Sequence, residues 1–333
     1  MDTCFERPII ILSAPRSGST LLYEVLSKNT SLCTIGGESH AVIETIPELN
    51  IAIRSFRSNA LAKEDATADI IQLLRTGFAS QLRKADGTAV SLPHHAPIRF
   101  LEKTPKNSLR VDFLNRVFPD ALFIYLVRDP KENISSIMEA WRSNRFVTYP
   151  QLPGFGDWSL LLPDNWAQQR GKTQQEIAAF QWQQANDAII TSLLELPKSR
   201  WHMLTYRDLV AQPSKQLAAI CQFCDIPFDN LFQQVCDTHL PYSRYTVSPP
   251  APNKWLSNAV AIQQVFPKIE STLNQINQLL AEQLIEPLSS ERVILEDNQD
   301  RITQQELYRG LSRNTLCPCQ SGKRYKYCHG TLI

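Results

Sequence analysis

The chain of 333 residues is long enough for one large α/β core with a small appendage, because single cores stop growing near ~250–300 residues. A hydrophobic share of 43% with 20% charged residues is ordinary for a globular protein and excludes disordered, collagen-like and fibrous chains. With a net charge of +1 no global basic field attracts an anion, so any anionic ligand has to be held by a local set of donors.

Met1 to Pro8 lead into a five-residue apolar run, too short for a signal-peptide core or a membrane span. A soluble, cytoplasmic protein is expected, engaging neither membrane nor nucleic acid. Pro8 to Ser13 (PIIILS) reads as a strand buried on both faces of a parallel sheet. The segment Ala14-Pro15-Arg16-Ser17-Gly18-Ser19-Thr20 follows it and opens a helical pattern of Leu21, Leu22, Val25 and Leu26. Small residues there let the backbone approach an anion, and Ser17, Ser19 and Thr20 add hydroxyl donors beside a helix N-terminus. The Gly-Lys-Ser/Thr ending of a Walker A loop is missing, which disfavours a standard nucleotide kinase or phosphatase. The bland alternative is an ordinary strand-to-helix turn.

Ser108 to Phe118 carries helical spacing, and Ala121 to Val127 (ALFIYLV) reads as a second buried strand. It ends in Arg128-Asp129-Pro130 and a helix bearing Ser135 and Ser136, which returns a guanidinium and hydroxyls to the same edge of the sheet. An ion pair of Arg128 with Asp129 or Glu132 is the structural alternative. Tyr149 to Gly171, rich in Pro, Gly and Trp, is expected to be an irregular lid whose aromatics stack on a sugar or line an acceptor pocket. Thr173 to Leu196 is helical, Trp201 to Thr205 is a third strand, and a last helix lies near Ile269 to Leu284. Cys221 and Cys224 fall on an apolar helical stretch and read as core thiols in preference to a redox pair. The alternation of strand and helix predicts an α/β fold, a P-loop-like parallel sheet flanked by helices.

Arg16 to Thr20 together with Arg128 and Ser136 resemble the family of sulfotransferases that use 3′-phosphoadenosine 5′-phosphosulfate (PAPS), in its protein-tyrosine and bacterial branch. The resemblance implies that Pro15, Arg16, Ser17, Gly18, Ser19 and Thr20 grip the 5′-phosphosulfate, and that Arg128 and Ser136 grip the 3′-phosphate. Gly36-Gly37-Glu38-Ser39-His40 is similar to the acidic segment supplying the catalytic base, here Glu38, with His40 as competitor. Glu102-Lys103-Thr104-Pro105 resembles the segment whose lysine contacts the sulfate, making Lys103 and Arg16 catalytic. Thr205 to Val210 places Tyr206 near the nucleotide, and Ser243 and Lys254-Trp255 look like the late loop that closes over it. Glu38 and Lys103 are also compatible with a surface carboxylate and a solvated ion pair. The acceptor implied is a small molecule, glycan or protein hydroxyl. A nucleotide-binding adaptor that has lost activity is the rival, and a nucleoside phosphate kinase a third reading.

Of eight cysteines, three cluster between Cys317 and Cys328, unlike the even framework of a secreted disulfide scaffold. Cys317, Cys319, Cys328 and His329 are a complete tetrahedral zinc set in a segment too short to fold on apolar burial alone. The spacing, with Ser321-Gly322-Lys323 between, resembles the SEC-C motif at the tail of the SecA translocation motor. It implies structural zinc and a basic docking knob of Lys323, Arg324 and Lys326 for an anionic protein partner. The expected division is 1–288 for the sulfotransferase domain, 289–310 for a linker and 311–333 for the zinc module.

Overall fold

The uninterrupted apolar run near the N-terminus forms β1 (Ile9–Leu12), and all four of its side chains are buried. A strand with no polar face has to lie inside a sheet covered on both sides. It does so in the computed structural model, which describes residues 5–91, 97–237, 243–249, 251, 253–290, 312, 314–316 and 324–327. After β1 come α1 (Ser19–Leu26), the single turn α2 (His40–Ile43) and α3 (Ala68–Gln81). The chain re-enters the sheet as β2 (Leu101–Lys103), turns through α4 (Val111–Val117), and returns as β3 (Leu122–Val127) followed by α5 (Pro130–Arg142). It leaves the sheet for an antiparallel hairpin, β4 (Val147–Leu152) and β5 (Gly156–Ser159), then follows α6 (Gln174–Leu194) into β6 (Trp201–Thr205). Helices α7 (Tyr206–Ala211), α8 (Pro213–Cys224), α9 (Asn230–Asp237) and α10 (Ala259–Glu282) complete this unit.

Among the described residues the sheet has the order β2-β1-β3-β6, parallel throughout. Side chains alternate across it. Ile10, Leu12, Phe123 and Tyr125 face a core shared with α3 to α6 and α10, whereas Ile9, Ile11, Ile124 and Leu126 face α1, α8 and α9. Fully burying each such aliphatic side chain contributes about 1.5–3 kcal/mol, so both faces hold the sheet in place. Because β1 has later strands on both sides, its connections leave in opposite directions and open a crevice at the carboxyl edge.

One strand is added and two expectations change. The edge strand β2 was not legible as a strand, since two of its three residues are the charged Glu102 and Lys103, yet all three are buried. Ser108 to Phe118 is not one helix: a 3-10 turn, Pro105–Leu109, is separated from α4 by Arg110, whose backbone leaves the helical region. The segment from Tyr149 to Gly171 is no irregular lid of exposed aromatics. Trp158 and Trp166 pack at 5.9 Å in a small core of their own with Leu152 and Ile177, so they cannot stack on a ligand. Their indole N–H groups are spent on backbone carbonyls of Leu161 and Phe56.

Cys221, Cys224 and Cys236 are free thiols buried beneath the sheet face that carries α1. Burial pushes the first two up to about 12 and the third up to about 11. Arg99 opposes the shift at Cys224 without overcoming it, so these are inert core thiols.

The chain divides into two compact units, Met1–Glu291 and Arg292–Ile333. In the second, Leu316 and Arg324 form an antiparallel bridge that leads into the 3-10 turn Tyr325–Tyr327. Cys317, Cys319, Cys328 and His329 lie outside the described residues, as does Lys323. No helix among the described residues is long and apolar enough to cross a membrane.

Candidate active site

The loop leaving β1 turns sharply because Arg16 (φ 67°) and Gly18 (φ 99°) both take the left-handed conformation. A non-glycine residue held there is strained, and such strain gathers at sites that bind. Gly18 is needed for a second reason. A Cβ at this position would stand 2.4 Å from Tyr206 Cδ2, so the loop and the first residue of α7 approach as only glycine permits. Asn133 on α5 fixes the loop from the other side: its Nδ2 donates to Pro15 O at 2.8 Å and its Oδ1 accepts from Ser17 Oγ at 2.9 Å. Ser17 is therefore spent on the scaffold and does not line the cavity, contrary to its expected role as an anion donor. Asn133 escaped sequence reasoning, although a polar residue on the buried face of an amphipathic helix was its signal.

A cavity of about 1020 Å³ opens over this loop. Pro15, Arg16, Gly18, Ser19 and Thr20 line it, and so do Arg128, Ser135, Ser136, Tyr206, Ser243 and Lys254. Ser19 and Thr20 begin α1, whose first-turn N–H groups lack intrahelical partners and face an anion favourably. Arg16 donates from Nη1 to Tyr245 O at 2.9 Å and stacks its guanidinium 4.8 Å from the Phe146 ring. Its Nε is buried and finds no hydrogen-bond partner among the described residues. That orphaned donor at the mouth of an anion loop suits a phosphate or sulfate oxygen.

Arg128 stands at the end of β3 because Asp129 caps α5, accepting from Lys131 N at 2.9 Å, with Pro130 in the first turn. The expected ion pair exists with Glu132 (3.0 Å), and Asp129 is occupied by the cap. Arg128 also donates to Arg16 O at 3.1 Å and stacks 4.6 Å over Tyr206, which ties the two arginine-bearing strand ends together. Ser135 accepts from Asn258 Nδ2 at 2.8 Å, while Ser136 beside it also faces the cavity. Lys254 pairs with both oxygens of Glu139 (2.9 Å) and contacts Ser248.

Glu38 lines the cavity just before the Ser39 that precedes α2. Lys103 does not line it. Only 3% exposed, its ammonium sits behind the wall, donating to Glu38 Oε1 at 2.7 Å and Thr20 Oγ1 at 3.1 Å, so it bridges the acidic segment and the anion loop. The partner of Lys103 is thus Glu38 and not Glu102. Glu102 is buried, which pushes its carboxyl up, and it accepts from Thr104 Oγ1 (2.6 Å) and Asn107 Nδ2. Thr104 Oγ1 in turn accepts Ser39 N–H at 2.7 Å, so this buried network hangs the Glu38 segment on β2. His40 Nδ1 faces Glu38 Oε2 at 3.5 Å. Burial and then Lys106 push the imidazole below its usual pKa, so it is neutral at pH 7 and able to accept a proton.

The cavity is also lined by Glu44 and Lys106 and by Phe146, Val147, Tyr149, Leu160 and Leu161. Sequence reasoning reached Tyr149, Leu160 and Leu161, which fall in the segment expected at an acceptor pocket, and missed Glu44, Lys106, Phe146 and Val147, which come from the end of α2, the 105–109 turn and the start of β4.

A model of the sulfotransferase family (Sulfotransfer_3) matches residues 8–230, and a SEC-C motif model matches residues 313–331. Protein-tyrosine sulfotransferase A of Caenorhabditis elegans is 24% identical over 226 residues, 67% of this chain and 50% of that one. The chain thus spans about half the length of the curated protein-tyrosine relatives it matches. Protein translocase subunit SecA of Rickettsia canadensis is 80% identical over 20 residues, 6% of this chain and 2% of that one. A solved sulfotransferase from Alicyclobacillus acidocaldarius aligns with 12% identity and a TM-score of 0.47, covering 83% of this chain and 96% of that one.

Proposed function

Because the chain belongs to the sulfotransferase family, we propose that it moves a sulfuryl group from PAPS onto an acceptor hydroxyl, releasing adenosine 3′,5′-bisphosphate. The observation that carries the donor is the presence of two separate anion-holding sets on one cavity. One is the Arg16–Thr20 loop with the orphaned Arg16 Nε, and the other is Arg128 with Ser135 and Ser136. A single phosphate group would leave one of them unused.

The acceptor oxygen attacks sulfur while the bond from sulfur to the 5′-phosphate oxygen breaks, and the hydroxyl proton passes to Glu38. Arg16 and the α1 N-terminus stabilise the charge that grows on the leaving phosphate, typically the largest catalytic contribution in such a site, and Lys103 acts from behind the wall through Thr20. Support for a double role of Lys103 is that its ammonium donates both to Thr20 of the anion loop and to Glu38. Ser17 acts through loop position, Tyr206 as the surface against which Gly18 and Arg128 pack, and Ser243 and Lys254 as parts of the segment over the nucleotide end.

Adenosine 3′,5′-bisphosphate is expected to raise the melting temperature more than 5′-AMP does, because only the former reaches both sets. Equal shifts would defeat the two-set reading. Label from radioactive PAPS, followed into acceptors of a cell extract, tests the transfer itself.

The tail is proposed to hold one structural zinc through Cys317, Cys319, Cys328 and His329, a donor set of three thiolates and an imidazole that suits tetrahedral zinc and leaves no open position for catalysis. The Leu316–Arg324 bridge encloses Cys317 and Cys319 in sequence and precedes Cys328 and His329. Lys323, Arg324 and Lys326 would then face an anionic protein partner. Truncation after Gly310 should abolish bound zinc by metal analysis and leave the bisphosphate shift intact; zinc retained after truncation would place the metal elsewhere.

A further inference from the structure

Two of the cavity-lining residues, Glu44 and Lys106, belong to an ion network that runs from the cavity into the core. Lys106 donates to both oxygens of Glu44 (2.8 and 3.0 Å) and lies 5.3 Å from the Tyr149 ring. Behind the wall Arg110, 1% exposed, donates to Glu44 Oε1 at 2.9 Å and to Asn59 O at 2.7 Å. Asn59 also donates from its side chain to the Tyr149 hydroxyl. Buried ion pairs are weak stabilisers, since desolvation offsets most of their attraction. A pair shown to a ligand cavity is better explained by what it recognises.

Glu44 has three of its roughly four acceptor directions filled, and Lys106 has given two of its three protons. A carboxylate acceptor and an ammonium donor thus line the cavity side by side, the pattern that an alcohol, itself donor and acceptor, satisfies. An apolar acceptor would strip water from this pair and return no hydrogen bond, a costly exchange. An anionic acceptor would have to lie against two carboxylates, Glu38 and Glu44. The same cavity is lined by the apolar side chains of Val147, Leu160 and Leu161.

We propose that Glu44 and Lys106 form an acceptor subsite for a saccharide ring, taking a second hydroxyl of the sugar while the hydroxyl to be sulfated meets Glu38. The C–H face of the ring then lies on the apolar side chains. The inference rests on the sulfuryl-transfer reading and names its acceptor class.

The test uses the full chain with radiolabelled PAPS and octyl glycosides of glucose, galactose, mannose and N-acetylglucosamine, set against 1-octanol and 4-nitrophenol. At least one glycoside should be sulfated with kcat/KM about 10-fold or more above both simple acceptors, because a site built to bond a hydroxyl rejects analogues lacking it. Lys106→Met, which keeps Arg110 paired with Glu44, should raise the glycoside KM about 10-fold and collapse the preference. The melting shift with adenosine 3′,5′-bisphosphate certifies that the variant is folded. Equal or better use of octanol or nitrophenol overturns the subsite, as does a glycoside preference that survives both Lys106→Met and Glu44→Gln, or bisphosphate binding with none of these acceptors labelled. Absence of both bisphosphate binding and labelling removes the transfer reading itself, and the subsite with it.

Discussion

At the phosphate-loop end of the cavity, Arg16, Ser19 and Thr20 arrive on one short stretch of chain, and Arg128 with Ser135 and Ser136 on another. Both stretches follow directly from neighbouring buried strands, β1 and β3. Elsewhere on the lining Glu38, Glu44, Lys106 and Tyr149 come from three segments that meet only through the fold. The first set is written locally, in strand-turn-helix grammar, and is positioned by the sheet. The second is held by side chains gripping side chains, with Glu102, Thr104 and Arg110 as the buried fasteners. A change in the first set should therefore act on the nucleotide, and a change in the second on the acceptor.

The sharpest test of that separation is Glu38→Gln, expected to lower turnover at least ~100-fold while bisphosphate affinity stays within a few-fold. If Glu38→Gln keeps near-normal turnover and His40→Ala abolishes it, the base is His40. Next in size, Arg128→Ala should weaken adenosine 3′,5′-bisphosphate about 10- to 100-fold in competition binding and leave 5′-AMP nearly untouched, as for a hydrogen bond to a charged group. Equal loss for both nucleotides would mean that Arg128 acts by holding the loop through Arg16 O.

Gly18→Ala probes the loop itself. The left-handed backbone and the 2.4 Å approach to Tyr206 should lower the melting temperature by several degrees and weaken the bisphosphate, whereas unchanged stability would refute the contact. The smallest effect is acid sensitivity at Glu44. Burial tends to raise the Glu44 carboxyl, but Lys106 and Arg110 outweigh it and hold it below the usual range. Its stabilisation is thus complete above the unfolded value near ~4.3 and is lost as pH falls through the depressed folded value. Urea unfolding between pH 5 and 3 should show a shallower acid loss in Lys106→Met than in the parent chain, and identical slopes would mean that Arg110 alone sets the shift.

The same contrast explains what sequence reasoning reached. β1 and β3 were legible because a strand covered on both faces shows an unbroken apolar run, β6 because its mostly apolar run follows a helical pattern, and the anion loop because glycine and hydroxyls follow β1. β2 was hidden by Glu102 and Lys103, charges that are buried only because Thr104, Asn107, Glu38 and Thr20 lie within reach. Trp158 and Trp166 misled in the opposite sense: composition marks them as ligand-stacking, and only packing reveals that they meet each other edge to face in a small core. Ser17 illustrates a third limit, since nothing local separates a hydroxyl aimed at an anion from one bonded to Asn133.

The three thiols under the α1 face of the sheet carry a consequence for how this molecule can be watched. Cys221 and Cys224 at about 12 and Cys236 at about 11 stay protonated at neutral pH and out of contact with solvent. An alkylating reagent can reach them only when α8 and α9 lift away, so their rate of modification is a clock for the opening of that half of the molecule. Since α1 packs in the same layer and begins at the anion loop, a nucleotide gripping the loop should slow the clock, giving a catalysis-free record of occupancy.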